Sequence, residues 1–270
     1  MTAPALLVIG GVVTDIVALH GKPIVPHTDT AARIAVRPGG SAANTAAWAA
    51  RAGAKDVRLL SRVGADSAEW HRAELLAAGV RPRLAVDAEL ATAVVICLVD
   101  TAAERTFVTD LGAAGRLGPE DWAPGLLNGV GRVHLSGYLY FTDSGRRLAG
   151  LVIAAARAAG VLVSIDPAST GFIQELGVGA FVAALDGADL LLPNLDEARL
   201  LTGTDDPVVA AERLSAGCGE AVVDTTGAGD AFAGGFLAAR LAGADLAEAA
   251  AAGCRAGASA TAVVGGRPPR

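Results

Sequence analysis

The stretch Asp224-Thr225-Thr226-Gly227-Ala228-Gly229-Asp230 combines residue types that can hold an anion with one that can accept a proton. It follows the β-branched run Ala221-Val222-Val223 and precedes apolar residues at helical spacing. This pattern predicts a strand that turns into a helix, with Thr226 as the N-cap. The unpaired backbone N–H groups and the dipole at a helix start attract anions, and glycine allows a close approach.

Asp230 falls in the first turn of that helix, next to the predicted anion site. A carboxylate in this place could take a proton from a hydroxyl while the amides hold the transferred group, as phosphoryl transfer requires. A capped helix start with small residues for close packing explains the same pattern without any chemistry. The strand, glycines and helix alone leave both interpretations open.

Most of the chain alternates apolar, strand-like runs with segments of helical periodicity. This alternation predicts an α/β fold with a mostly parallel sheet that is covered by helices on both faces. Two β-rich segments, 12–37 and 92–109, have no helix between their strands. We expect them to form a small β-rich lid over a core made of 1–11, 38–91 and 110–270.

Polar residues follow several of the predicted strands. In an open parallel sheet, ligands bind beyond the carboxyl ends of the strands. The residues at such ends are Asp15, Asp166, Asn194 with Glu197, and Asp230, which Asn44 could join from the start of its helix. Asp15 and Asn44 offer the acceptor and the donor that a polyhydroxylated substrate needs. Each residue alone is more often a cap or a turn residue, so their agreement on one edge carries the prediction.

Asn194 and Glu197 are three residues apart at a predicted helix start, so both can face one side. Glu197 could hold Mg²⁺ through water, because Mg²⁺ keeps much of its hydration in proteins. A capping box with Asn194 as the N-cap fits the same spacing equally well.

Composition excludes several classes of function for this chain of 270 residues. The net charge of −6 argues against a nucleic acid partner. No apolar run is long enough to span a bilayer and no signal peptide is evident, so we expect a cytoplasmic protein. The sequence contains neither GxxxxGK[ST] nor GxGxxG after a strand. Its three cysteines and four histidines lack the spacing of a disulfide framework or a zinc site.

Together these motifs resemble the ribokinase (PfkB) family of carbohydrate kinases over nearly the whole chain. Gly39-Gly40-Ser41-Ala42-Ala43-Asn44 is similar to the first family signature, and the stretch from Asp224 to Asp230 resembles the second. Asn194-Leu195-Asp196-Glu197 looks like the N-x-x-E motif of the family. The resemblance implies a ribokinase-like fold, with a central, mostly parallel sheet flanked by helices and a small β lid.

The resemblance also implies an activity and a set of site residues. It implies ATP-dependent phosphorylation of a primary hydroxyl of a sugar, with Asp230 as the general base. The anion hole would be the amides of Gly227, Ala228 and Gly229, and the sugar would be bound by Asp15, Gly39, Gly40 and Asn44. Asn194, Glu197 and Thr226 would serve ATP, Glu197 would organise Mg²⁺ through water, and Asp224 and Thr226 would hold a monovalent cation, K⁺, with later carbonyls around Ala260, Val263 and Gly265. A nucleoside (adenosine-type) kinase of the same fold and a catalytically weakened sugar-binding protein are the alternatives, and pairing of lid strands could make a homodimer.

One departure from the family pattern concerns the segment before the second signature. The family places further strands there, including a glycine-containing nucleotide loop, whereas only residues 217–223 separate the preceding helical segment from Asp224. A true deletion would put adenine binding in doubt and would favour the sugar-binding protein. The intact catalytic loop favours instead a loop that is missing from the sequence.

Overall fold

A seven-stranded parallel sheet forms the centre of the computed structural model, which describes residues 3–102, 104–226, 228–263 and 265–269. Its strand order is β11-β10-β9-β8-β1-β4-β5, and each pair of neighbouring strands in this order is parallel. The strands are β1 (Ala5–Ile9), β4 (Val57–Gly64), β5 (Val80–Asp87), β8 (Val130–Ser136), β9 (Leu162–Asp166), β10 (Leu190–Leu191) and β11 (Glu220–Ala221).

Helices cover both faces of this sheet. They are α1 (Ser41–Arg51), α2 (Ala68–Ala77), α3 (Asp143–Ala158), α4 (Thr170–Leu176), α5 (Val178–Ala184), α6 (Leu195–Thr202), α7 (Pro207–Ser215), α8 (Gly229–Leu241) and α9 (Leu246–Ala260). The apolar run of β1 is buried on both sides: Leu6 and Val8 pack with α1 and α8, and Leu7 and Ile9 pack with α3. A continuous apolar strand of this kind is typical of a parallel sheet between two helical layers.

A second, four-stranded sheet stands beside the first, in the order β3-β2-β6-β7. It consists of β2 (Val13–His20), β3 (Ala32–Gly39), β6 (Ala93–Val99) and β7 (Arg105–Asp110). The α/β class and the small additional sheet agree with the sequence-based prediction. The division of the chain into a core and a lid stays an interpretation.

Two helix starts differ from the prediction. As a serine directly after Gly39-Gly40, Ser41 is the N-cap that the sequence predicts for α1, but Gly40 is the N-cap, with a positive φ of 96°. Thr226 was expected to cap α8, but that helix begins at Gly229 with Ala228 as the N-cap. Thr226 donates its amide to Asp224 Oδ1 over 2.7 Å, so a turn centred on the Asp224 side chain delays the helix.

The strands next to the second signature are shorter than the apolar runs predict. The apolar run at residues 188–192 predicts a strand, of which β10 has two residues. The run at 221–223 predicts another, of which β11 includes only Ala221. Between the end of α7 and Asp224 the structure has a single short strand, β11. Among the helices of the described residues, none is long and apolar enough to cross a membrane.

Candidate active site

Asp230 is the second residue of α8 and accepts a hydrogen bond from Asn44 Nδ2 over 2.9 Å. The two residues are 186 positions apart, so the sheet brings the two predicted signatures together. Burial raises the pKa of Asp230, while hydrogen bonds from Asn44 and Ser41 lower it. A carboxylate in this balance can accept a proton and is aligned by its amide partner.

Asp15 lies on β2 against the backbone of Gly39, where a Cβ atom would collide with the Asp15 carboxylate. The pKa of Asp15 is raised to about 6, mainly by burial and also by the nearby charge of Asp230, while Arg267 opposes both. The residue at position 39 therefore has to be glycine for Asp15 to occupy this place.

Gly40 needs the absence of a side chain for a different reason. Its φ is positive, and a Cβ atom would lie 2.5 Å from the carbonyl oxygen of Gly11 and 2.9 Å from the amide of Val13. The two glycines thus join the end of β3 to the start of α1 in a connection too tight for other residues. Asp15, Gly39, Gly40 and Asn44 are brought together as the sequence predicts.

Asn194 and Glu197 form the capping box at the start of α6. The Asn194 side chain accepts from the Glu197 amide over 2.9 Å, and Glu197 Oε2 accepts from the Asn194 amide over 3.0 Å. The capping box that the sequence offered as an alternative for this pair is therefore present. Glu197 is also buried, and its burial and the neighbouring charge of Asp166 raise its pKa. Capping and a role in the site are compatible, because the same carboxylate also lies near Asp166.

The acidic cluster consists of Asp166, Glu197 and Asp224, with Asp230 close by. Burial and the charges of Asp230 and Asp224 raise the pKa of Asp166. Asp224 Oδ1 accepts from the Thr226 amide, whereas its buried Oδ2 has no partner among the described residues. Mutual repulsion and an unpaired buried oxygen are the conditions under which a bound cation stabilises a site.

Oxygen donors of this kind suit Mg²⁺ and K⁺. Within the described residues, no three His, Cys, Asp or Glu side chains are arranged to chelate one metal ion directly. The buried carboxylates of Glu197 and Asp224 fit ions that would be held partly through water and phosphate oxygens. On the side of the predicted K⁺ site, the Ala260 carbonyl already accepts a hydrogen bond from the Val263 amide over 3.0 Å.

The predicted anion hole lies only partly within the described residues, because Gly227 is outside them. The Ala228 amide donates to Thr226 Oγ1 over a long 3.3 Å. The amides of Gly229 and Asp230 donate to no described residue, so two N–H groups at the start of α8 are available to an anion.

Two further residues near the site were not among the predicted site residues. Burial and the charges of Asp230, Asp166 and Glu197 raise the pKa of Tyr138, which places its ring beside the acidic cluster. Arg267 lies next to Asp15 and Gly39. In the sequence, Tyr138 follows the strand that ends at Ser136, a position that allows contact with a substrate but favours core packing. Arg267 stands in a Gly- and Pro-rich end of the sequence and gave no signal.

Comparisons with known proteins cover almost the whole chain. A family model described as pfkB family carbohydrate kinase matches in two parts, residues 3–219 and 216–270. The two parts overlap at residues 216–219, shortly before the second signature. A curated relative, the ATP-dependent ribose-1-phosphate kinase of Halopiger xanaduensis, is 34% identical over 234 residues, which are 77% of this chain and 75% of the relative.

Solved structures with the same fold include an adenosine kinase from Sinorhizobium meliloti. It has a TM-score of 0.88 at 24% identity and covers 99% of this chain and 96% of its own. A ribokinase-II-type protein from E. coli, in complex with ATP and Mg²⁺, has a TM-score of 0.83 at 22% identity, over 97% of this chain and 94% of its own. At these identities the likeness is one of fold.

Proposed function

Because the chain belongs to the pfkB family of carbohydrate kinases, we propose that it phosphorylates a primary hydroxyl of a sugar with ATP. One observation supports this activity above the others. Asp230 stands at a helix start with free amides, accepts a hydrogen bond from Asn44, and faces Asp15 closely enough to raise its pKa. A base, an anion site and two hydroxyl-binding groups therefore meet in one place.

Each group has a separate task in the proposed reaction. Asp15 and Asn44 bind hydroxyls of the sugar and orient the reacting one toward Asp230, which takes its proton. The transferred phosphoryl group would be held by the predicted anion hole of Gly227, Ala228 and Gly229. Within the described residues, the unpaired Gly229 and Asp230 amides at the start of α8 support this role. General-base catalysis of this kind contributes on the order of 10²–10⁴ in rate.

On the donor side, Asn194, Glu197 and Thr226 contact the phosphates of ATP and their ions. Glu197 and Asp224 would hold Mg²⁺ and K⁺ respectively, K⁺ with Thr226, in line with the unpaired Oδ2 of Asp224. Bound Mg²⁺ supplies positive charge to the phosphate oxygens. A cytoplasmic location also stays a proposal, which cell fractionation would test.

A phosphorylated pentose is a second candidate acceptor, in line with the ribose-1-phosphate named for the Halopiger relative. Arg37 lies directly across from Asp15 in the pairing of β2 with β3, and Arg33 follows at the same side of the strand. Together with Val17 they help to line a cavity of about 330 Å³. Two guanidinium groups on the Asp15 side of this sheet favour an acceptor with an anionic group.

An ADP-release assay with ribose, ribose 1-phosphate, fructose and adenosine tests the proposal. Asp230→Asn should reduce kcat by about 10²–10⁴, while calorimetry still detects acceptor binding. Asp186→Asn is the matched control, because Asp186 is exposed and precedes β10 at the opposite end of the sheet. Acceptor binding without turnover in the wild-type protein would favour the sugar-binding alternative, and preference for adenosine would favour the nucleoside kinase.

A further inference from the structure

Residues 265–269 pack against Gly39 and Asn44 of the proposed acceptor site. Gly266 accepts a hydrogen bond from Trp48 Nε1 through its carbonyl, over 2.9 Å. A Cβ atom on Gly266 would collide with the amide of Asn44, the side chain that donates to Asp230. The position of Asn44 therefore depends on close packing of this last part of the described chain.

Arg267 is the one charged residue between 265 and 269, and only 9% of its surface is exposed. Its Nη2 donates to the Gly39 carbonyl over 3.4 Å, and its Nε and Nη1 have no hydrogen-bond partner among the described residues. Gly39 is the residue against which the Asp15 carboxylate rests. The guanidinium thus contacts the backbone that supports Asp15 without forming an ion pair with Asp15 itself in the described structure.

The charges around Asp15 come from several elements. Asp230 on α8 raises its pKa and Arg267 lowers it, while Arg37 lies across from it on β3. On α2, the Nε2 atom of His71 forms a hydrogen bond with Thr14 Oγ1 over 3.0 Å.

His71, Glu74 and Cys97 complete these surroundings. Burial and Arg267 lower the pKa of His71 to about 4, so this histidine is neutral near pH 7. The charge of Glu74, also on α2, raises the pKa of Arg267, as the charge of Asp15 does. Burial raises the pKa of the Cys97 thiol on β6. Arg267 is therefore the buried cation that acts on Asp15.

We propose that Arg267 is a positioning residue of the acceptor site, which holds Gly39 in place and presents a positive charge to Asp15. The inference rests on the proposed function, since it assumes that Asp15 binds the hydroxyls of the acceptor. An ionised Asp15 accepts hydrogen bonds from these hydroxyls, whereas a protonated one loses part of this capacity. Residues 265–269 are thus part of the acceptor site, although they lie far from Asp15 in sequence.

The test compares Arg267→Gln and Arg267→Lys in steady-state kinetics between pH 5.5 and 8.5, with acceptor and ATP varied separately. Arg267→Gln should raise KM for the acceptor about tenfold, leave KM for ATP unchanged, and move the acidic limb of kcat/KM for the acceptor to higher pH. Arg267→Lys keeps the charge and should restore most of the pH profile. Arg240→Gln, which removes an arginine paired with Glu220, is the matched control.

Gly266→Ala separates packing from charge if Arg267→Gln folds poorly, because it disturbs Asn44 and leaves the arginine in place. It should raise KM for the acceptor without moving the acidic limb. A lower melting temperature for Arg267→Gln with an unchanged acceptor KM and pH profile would overturn the proposal. Failure of the proposed function is recognised separately, by absence of turnover in the wild-type protein.

Discussion

The ionised side chain of Asp15 should lower the free energy of unfolding of the unliganded protein near neutral pH. Its pKa is raised from 3.8 to about 6, mainly by burial. At 1.36 kcal/mol for each pKa unit, this difference corresponds to about 3 kcal/mol. Because the folded state binds the proton more tightly than the unfolded state, stability falls as the pH rises from about 4 to about 6. Above that range the whole penalty is present.

Asp15→Asn should recover that free energy only where the carboxylate is charged. Urea unfolding of the free protein, followed by circular dichroism, should show the variant to be more stable by about 2–3 kcal/mol at pH 7.5. At pH 4 the difference should nearly vanish. Asp186→Asn, at an exposed site, should show no such dependence on pH. The same stability gain at both pH values, or no gain at pH 7.5, would refute the reasoning.

The same substitution should weaken the acceptor site. Hydrogen bonds to a charged group contribute about 1.5–3 kcal/mol each, so KM for the acceptor should rise by roughly tenfold to a hundredfold. A saturating acceptor should therefore stabilise the wild-type protein against urea more than it stabilises Asp15→Asn. Stability and acceptor binding change in opposite directions, which a purely structural role of Asp15 does not predict.

Two other variants test the surroundings of the site. Gly39→Ala places a methyl group where the Asp15 carboxylate lies, so acceptor binding measured by calorimetry should be lost while the fold is retained; unchanged affinity would contradict the close approach of these residues. The proposed homodimer through the lid strands rests on the exposed apolar side chains Ile34, Val36 and Val108 of β3 and β7. Ile34→Lys should turn a dimer into a monomer in light scattering, because a lysine buried in the interface opposes association. Val208→Lys on α7, at an equally exposed position, is the control. An equal mass for both variants and the wild type would count against this interface.

The sequence predicts the parts of the fold that depend on local patterning. The continuous apolar run of β1 identifies a buried parallel strand, and the two glycine-rich signatures mark the starts of α1 and α8. The contact between Asn44 and Asp230 follows from the rule that strand ends share one edge. What failed was the choice of caps, because Gly40 and the turn around Asp224 are shaped by tertiary packing.

Arg267 could not be identified as a site residue from local sequence patterns. Its neighbours in sequence are glycines and prolines, which carry no periodicity and predict a loop. Only the packing of Gly266 on Asn44 and Trp48 brings the guanidinium to Gly39. A residue whose role depends on contacts across more than two hundred positions leaves no local signal.

The shortened edge of the sheet still positions the second signature. β10 and β11 pair over only two residues, so the sheet itself holds this region weakly. The Asp224 amide, however, donates to the Pro193 carbonyl over 2.7 Å, and Asp224 forms a bridge with Asn194 in the parallel sense. Asn194 is in turn fixed by its capping box with Glu197. The backbone anchor between the N-x-x-E motif and Asp224 therefore holds the second signature beside these short strands, and the second residue of α8, Asp230, reaches Asn44.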